Sequence, residues 1–232
     1  MHPWGKPPTA PVQDPAEVHV WRASLDRSPG EVEVCRRLLS PDELRRAERL
    51  MFENHRWRFI VGRGCLRSIL AHYLDIAPAD VRFEYSPHDK PRLAAGHAPG
   101  PPLHFNLAHS DALALFAVTG IGAIGIDVER IRPECPAEQI ARHFFSDGEI
   151  DRLGTLAPHE RAAAFFHCWA RKEAFIKAKG LGLSLPLDQF DVTLAPGEPA
   201  SVLRTAWDRG EAAQWSLRTL EAGPGFAAAA AP

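Results

Sequence analysis

The segment "GIGAIGIDVERI", residues 120–131, constrains the fold more than any other. Ile124, Ile126 and Val128 alternate with Gly125, Asp127 and Glu129, and Pro133 closes the run. A period of two built on β-branched residues predicts a strand. The glycines also spell a G-x-G-x-x-G pattern, which in a dinucleotide site must open a helix whose first amides hold a pyrophosphate. A strand at this position argues against that reading, leaving the glycines to mark a turn and a close backbone approach. On a strand, residues two apart point the same way, so Asp127 and Glu129 project together from one face. Two such carboxylates repel unless solvent, a basic partner, a shared proton or a metal ion relieves them. The simplest version is a frayed strand end, with Arg130 or Arg132 as loose partners.

Composition narrows the classes. A chain of 232 residues, 45% of them hydrophobic, can bury one large or two small cores. The net charge of −2 argues against a general nucleic-acid or membrane-surface binder. The proline-rich residues 1–15 lack a signal pattern, and no run approaches the ~20 apolar residues of a membrane span, so a cytoplasmic protein is expected. Cys35, Cys65, Cys135 and Cys168 are scattered without C-x-x-C spacing and read as reduced, packed thiols.

Along the chain, "EVHVWRASL" alternates as a strand and Ser40-Pro41-Asp42-Glu43 starts a helix with Ser40 as N-cap. The helical pattern continues to about Leu74 and carries Arg45, Arg46, Arg49, Arg56, Arg58, Arg63 and Arg67, which read as a solvated face. "VRFEYS" is a short strand, "SPHDKPRL" and "AAGHAPGPP" are loops, and "LHFNLAHSDALALFAVTG" reads as strand, turn, strand. "CPAEQIARHFFSDGEIDRL" holds one or two helices, and a long helix runs from Pro158 to Lys179, stopped by "GLGLSLPL". Strands are predicted at "FDVTL", "ASVLRTAW", "AQWSLRTL" and "GFAAAAA"; the last is called against its alanine content, because Gly223, Pro224, Gly225 and the chain end leave little room for a helix. Helices and strands interleave without a regular βαβ rhythm, so the class is α+β, and no sequence repeat is visible.

In the long helix, Trp169, Glu173 and Lys177 stand at i, i+4 and i+8 and share a face. Glu173 preceding Lys177 by four suits a helix ion pair worth ~0.3 kcal/mol. Yet Ala170, Ala174, Phe175 and Ile176 surround that glutamate, and such a setting calls for a stronger cation. His109 alone is a turn histidine and Lys90 an exposed loop lysine. Cys168 beside His167 makes no nucleophile pair, since neighbours on a helix diverge by about 100°.

"GIDVERI" together with "WARKEAFIKAKGLGLSLPLDQF" resembles the 4′-phosphopantetheinyl transferases, in particular the longer bacterial type acting on peptide and polyketide synthases. The resemblance extends back through "FNLAHS", "KPRL" and "SPDELRRAERLMFENHRWRFIVGRGCLRSIL", over most of residues 35–195. It implies a pseudo-dimer of two similar α+β halves in one chain, residues 1–122 and 123–232, working as a monomer with coenzyme A between them. It implies transfer of phosphopantetheine from coenzyme A to a serine of an apo acyl or peptidyl carrier protein, with adenosine 3′,5′-bisphosphate released. Asp127, Glu129 and Glu173 would supply carboxylates to Mg²⁺, with Mn²⁺ as a possible substitute, and Glu173 would take the serine's proton. Lys177 and His109 would meet the pyrophosphate, Lys90 the coenzyme's phosphates, and Arg46 and Arg58 the adenine-nucleotide end. Glu149 matches a further acid near the site.

Two positions depart from the family pattern. Ala108 replaces a serine before the motif histidine, and Glu43 stands where some relatives carry a lysine. Two other classes remain open. A metal-dependent phosphodiester hydrolase could use the same acids, but the near-neutral charge and Lys177 favour a small nucleotide over a polymer. A non-catalytic module binding coenzyme A or a carrier is the other, and Ala108 suits it. Neither a nucleic acid nor a membrane is expected as partner.

Overall fold

The computed structural model describes residues 17–96, 102–195 and 197–232. The proline-rich leader and residues 97–101 of the "AAGHAPGPP" loop lie outside them. The first half runs β1 (Val18–Ser24), α1 (Pro29–Arg36), α2 (Pro41–Glu48), α3 (Glu53–Leu74), β2 (Phe83–Tyr85), β3 (Pro91–Leu93), β4 (His104–Ser110) and β5 (Leu113–Thr119). The second runs β6 (Gly125–Arg130), α4 (Ala137–Phe144), α5 (Asp147–Thr155), α6 (Pro158–Lys179), β7 (Phe190–Val192), β8 (Val202–Thr205), β9 (Arg218–Thr219) and β10 (Phe226–Ala231).

The order is the same twice: one strand, two short helices, one 22-residue helix, a short two-stranded pair, two strands. Both three-stranded sheets place the last strand in the middle, β1-β5-β4 and β6-β10-β9, and all pairs are antiparallel. The repeat that is invisible in the letters is plain in the topology, and the fold is the α+β pseudo-dimer that the family resemblance implies.

Two readings of the first half are corrected. The helical stretch from Ser40 breaks at residues 49–52, which lets α2 fold back against α3. That packing brings Glu43 of α2 onto Arg67 at 2.7 Å and Arg63 at 3.4 Å, all three buried. The arginine-rich stretch is therefore not one solvated face, because Arg63 and Arg67 neutralise a buried acid. Arg67 also donates to the carbonyls of Pro78, Ala79 and Val81, fixing the chain after α3. The second correction is "PRL", which pairs with β2 as a strand.

Three apolar clusters follow from these elements. α3 buries Ile60, Val61, Leu66 and Leu70 with Phe105, Phe116 and Val118 of the first sheet. α6 buries Phe165, Cys168, Phe175 and Ile176 with Ala227, Ala229 and Ala231 of β10. The third joins the halves, with Ala108, Leu115 and Ala117 against Ile126, Val128, Ala228 and Ala230. β10 is thus sandwiched between α6 and the first sheet, and alanine is small enough for both faces, which overrides its helix propensity.

Candidate active site

The acidic strand β6 is buried up to Val128, and Asp127 is only 4% exposed. Gly125 sets its distance from α6. A Cβ built there would stand 1.9 Å from the Ala174 carbonyl and 2.4 Å from the Ala178 amide, so only glycine permits this approach. α6 ends at Gly180, whose φ of 72° is the left-handed cap that lets the chain turn away. The expected pairing of Glu173 with Lys177 along the helix is replaced by one across it. The Lys177 ammonium reaches β6 and donates to Asp127 Oδ1 at 2.6 Å.

Asp127, Glu129, Glu173 and Lys177 act as one electrostatic unit. Burial pushes the Asp127 carboxyl up to about 7, against the pull of Lys177 and with the repulsion of Glu129 and Glu173 added. Burial also raises Glu173, with Lys177 opposing and Glu129 reinforcing the shift. For Lys177, burial would lower the ammonium, but the Asp127, Glu173 and Glu129 carboxylates outweigh it and hold it above the usual lysine range. Asp127 Oδ2 is buried without a hydrogen-bond partner.

β4 lies along β6 and carries His109. Partial desolvation lowers the proton affinity of this exposed imidazole, and Lys177, then Arg58, then His55 lower it further. Ala108 points into the cluster between the halves, where a methyl suits the apolar packing. Ser110 donates to Glu129 Oε2 at 2.9 Å and accepts from the Arg130 amide at 3.0 Å. Asn106 Oδ1 accepts from the Ile126 amide at 2.8 Å.

The basic residues divide. Lys90, in the turn between β2 and β3, donates to the carbonyls of Ile124 and Lys177, and burial plus the nearby Lys177 ammonium lower it to about 8. It is near the unit, held by backbone. Arg58 of α3 forms a two-pronged pair with Asp26 at 2.7 and 3.1 Å. Arg46 on α2 packs over the Phe59 ring at 5.8 Å. Glu43 does not face a ligand: its carboxylate is closed off by Arg67, Arg63 and the Ser40 amide. Glu149 is likewise engaged elsewhere, in a buried pair with Lys172 at 2.8 Å and in hydrogen bonds from the amides of Ser146 and Val192. Asn106 and Ser110, inside "FNLAHS", contact β6 directly and were passed over by residue-type reasoning.

Among the described residues, no three His, Cys, Asp or Glu side chains form a ready metal cage. The donor chemistry nevertheless fits a hard cation such as Mg²⁺, which takes carboxylate oxygens, and Asp127 Oδ2 is a buried oxygen without a partner.

Comparison with known proteins is consistent along the whole fold. Residues 123–231 match the model of the 4′-phosphopantetheinyl transferase superfamily, and residues 21–120 match that of a 4′-phosphopantetheinyl transferase N-terminal domain. The 4′-phosphopantetheinyl transferase HetI of Nostoc sp. is 41% identical over 95% of this chain and 89% of its own. A 4′-phosphopantetheinyl transferase of Bacillus subtilis is 33% identical over 75% of this chain and 76% of its own. Sfp of Bacillus subtilis strain 168 is 33% identical over 67% and 66%. No helix among the described residues is long and apolar enough to cross a membrane. The two matched halves and the identity to these relatives lead to one assignment: the chain belongs to the 4′-phosphopantetheinyl transferase family, enzymes that move phosphopantetheine from coenzyme A to a carrier-protein serine.

Proposed function

We propose that the unit of Asp127, Glu129, Glu173 and Lys177 is the catalytic centre of this transfer, with residues 1–122 and 123–232 as its two halves in a monomer. The observation that carries this reading is the buried, unpartnered Asp127 Oδ2 beside two further carboxylates that raise its proton affinity. Glu43 Oε1 also lacks a hydrogen-bond partner, but Arg63 and Arg67 neutralise that carboxylate, whereas one lysine serves the three acids around Asp127. Asp127, Glu129 and Glu173 would hold Mg²⁺. When bound, the cation neutralises pyrophosphate charge that the three acids would otherwise repel.

The chain's own residues do the rest. His109 and Lys177 meet the pyrophosphate oxygens, and Lys177 stabilises negative charge on the departing adenosine bisphosphate. Arg58 and Arg46 serve the adenine-nucleotide end, and Lys90 lies at the phosphates while anchoring α6 to the loop before β6. Glu173 accepts the proton of the carrier serine, a role suited to a carboxylate whose burial raises its proton affinity. The serine Oγ then forms a bond to the phosphorus nearer the pantetheine, and the bond from that phosphorus to the bridging oxygen breaks. The adenosine 3′,5′-bisphosphate departs with the electron pair.

Chromatography of nucleotide products distinguishes the alternatives. Adenosine 3′,5′-bisphosphate is expected only when coenzyme A, Mg²⁺ and an apo carrier protein are all present. Release without a carrier would indicate a hydrolase, and no release with several carriers would indicate a binding module.

A further inference from the structure

β6 pairs with β10 along one edge only, and its other edge faces β4 without belonging to the same sheet. Strand geometry sends alternate amides to opposite edges, so the amides of Asp127 and Glu129 face β10 when those of Ile126 and Arg130 face β4. Such edge groups need partners when buried. Here side chains supply them. Asn106 Oδ1 takes the Ile126 amide at 2.8 Å and Ser110 Oγ takes the Arg130 amide at 3.0 Å. Asn106 and Ser110 are 5% and 7% exposed. Both bonds span the same offset of 20 residues, so the two strands run parallel in one register. The Lys90 ammonium, on the Ile124 carbonyl at 3.0 Å, extends the row by another residue pair.

This register decides chemistry, because β4 carries His109 and β6 carries Asp127 and Glu129. A slip of one residue would displace the acids from the histidine by about 3.3 Å and reverse their facing. The Ser110 hydroxyl has a second task. While accepting from Arg130 it donates to Glu129 Oε2 at 2.9 Å, which fixes the direction of that carboxylate.

We propose that Asn106 and Ser110 are positioning residues of the transfer reaction: a polar suture across the two halves that sets the acids' place relative to His109, with Ser110 also aiming Glu129. The proposal rests on the functional reading above, so its test carries a readout independent of turnover.

Wild type, Ser110→Ala, Ser110→Thr and Ser110→Cys are compared by steady-state transfer kinetics and by residue-resolved amide hydrogen exchange. For Ser110→Ala, kcat is expected to fall about tenfold or more, as misplacement of reacting groups does, with KM for coenzyme A within about twofold. Exchange at the Arg130 amide accelerates about tenfold or more, while the Asp127 and Glu129 amides facing β10 keep their protection. Ser110→Thr, which retains the hydroxyl, restores both readouts, and Ser110→Cys falls between. If Ser110→Ala fails to fold, the Cys and Thr variants carry the same contrast. The proposal is overturned if kcat is unchanged when the hydroxyl is lost, if kcat falls while Arg130 exchange stays at the wild-type rate, or if Thr restores neither. Wild-type protein that transfers nothing would defeat the functional reading instead, and the exchange data would still report on the suture.

Discussion

α6 carries two lysine–carboxylate pairs that are chemically alike and energetically opposite. Lys172 and Lys177 are five residues apart and therefore about 140° apart around the helix. On one side, Lys172 meets Glu149 at 2.8 Å, donates to the carbonyls of Leu187 and Phe190, and lies 4.2 Å from the Phe190 ring centroid. Glu149 accepts from the amides of Ser146 and Val192. Every charge there has a fixed partner. On the other side, Lys177 meets Asp127 at 2.6 Å, but Asp127 keeps one buried oxygen without a partner and shares its surroundings with Glu129 and Glu173. The closed pair holds α5, β7 and the segment after α6 onto the helix. The open one stores repulsion that a cationic ligand would relieve. Neither burial of a charge pair nor one unpartnered atom therefore marks a site; a buried oxygen without a partner, crowded by two further carboxylates, does.

The comparison predicts opposite outcomes for substitutions on the two sides. Asp127→Asn or Glu173→Gln should lower transfer by about 10²-fold or more, the scale of losing a group that neutralises transition-state charge, with the fold intact by circular dichroism. Lys172→Met should do the reverse. Leaving Glu149 buried and unpaired costs about 3–5 kcal/mol in chemical denaturation, while activity per folded molecule stays near wild type. Equal loss of activity per folded molecule from both sides would erase the distinction.

A smaller effect concerns pH in metal-free protein. Asp127 has its proton affinity raised from 3.8 to about 7, so between those values the folded state binds more protons than the unfolded one. The slope of stability against pH is then negative, and this group favours the acid side of the window. Melting temperature should fall from pH 4 to pH 7 more steeply in wild type than in Asp127→Asn. A steeper fall in the variant would contradict the open-pair account. The smallest effect is expected for Glu173→Gln in the absence of metal at pH 7: removal of a carboxylate whose ionisation the fold disfavours should raise the melting temperature slightly. A clear decrease would mean that Glu173 stabilises the fold.

Much of this was legible in the letters because local periods agreed with the final structure. The period of two in β6, the bounds of α6 with its Gly180 stop, and the hairpin of β4 and β5 follow from side-chain alternation and turn chemistry. The alanine strand β10 could be read because punctuation outweighed propensity. What escaped depended on distance in sequence. Arg67 and Glu43 are 24 residues apart, and nothing local distinguishes a neutralising arginine from a solvated one. The break at residues 49–52 carries no proline or glycine and is imposed by α2 packing back on α3. The local rule for Glu173 and Lys177 lost to the tertiary contact with Asp127, 50 residues away. The acids and their lysine could be named from motif order, whereas the state of each pair, closed at Glu149 and open at Asp127, required coordinates.

The most direct measurement is the intact mass of an apo carrier protein after incubation with this chain, coenzyme A and Mg²⁺, with Glu173→Gln in parallel. The account predicts a gain of one phosphopantetheine group with wild type and none over the same interval with the variant. A carrier left unmodified by wild type, or modified equally by both proteins, would contradict the assignment of catalysis to the open face of α6.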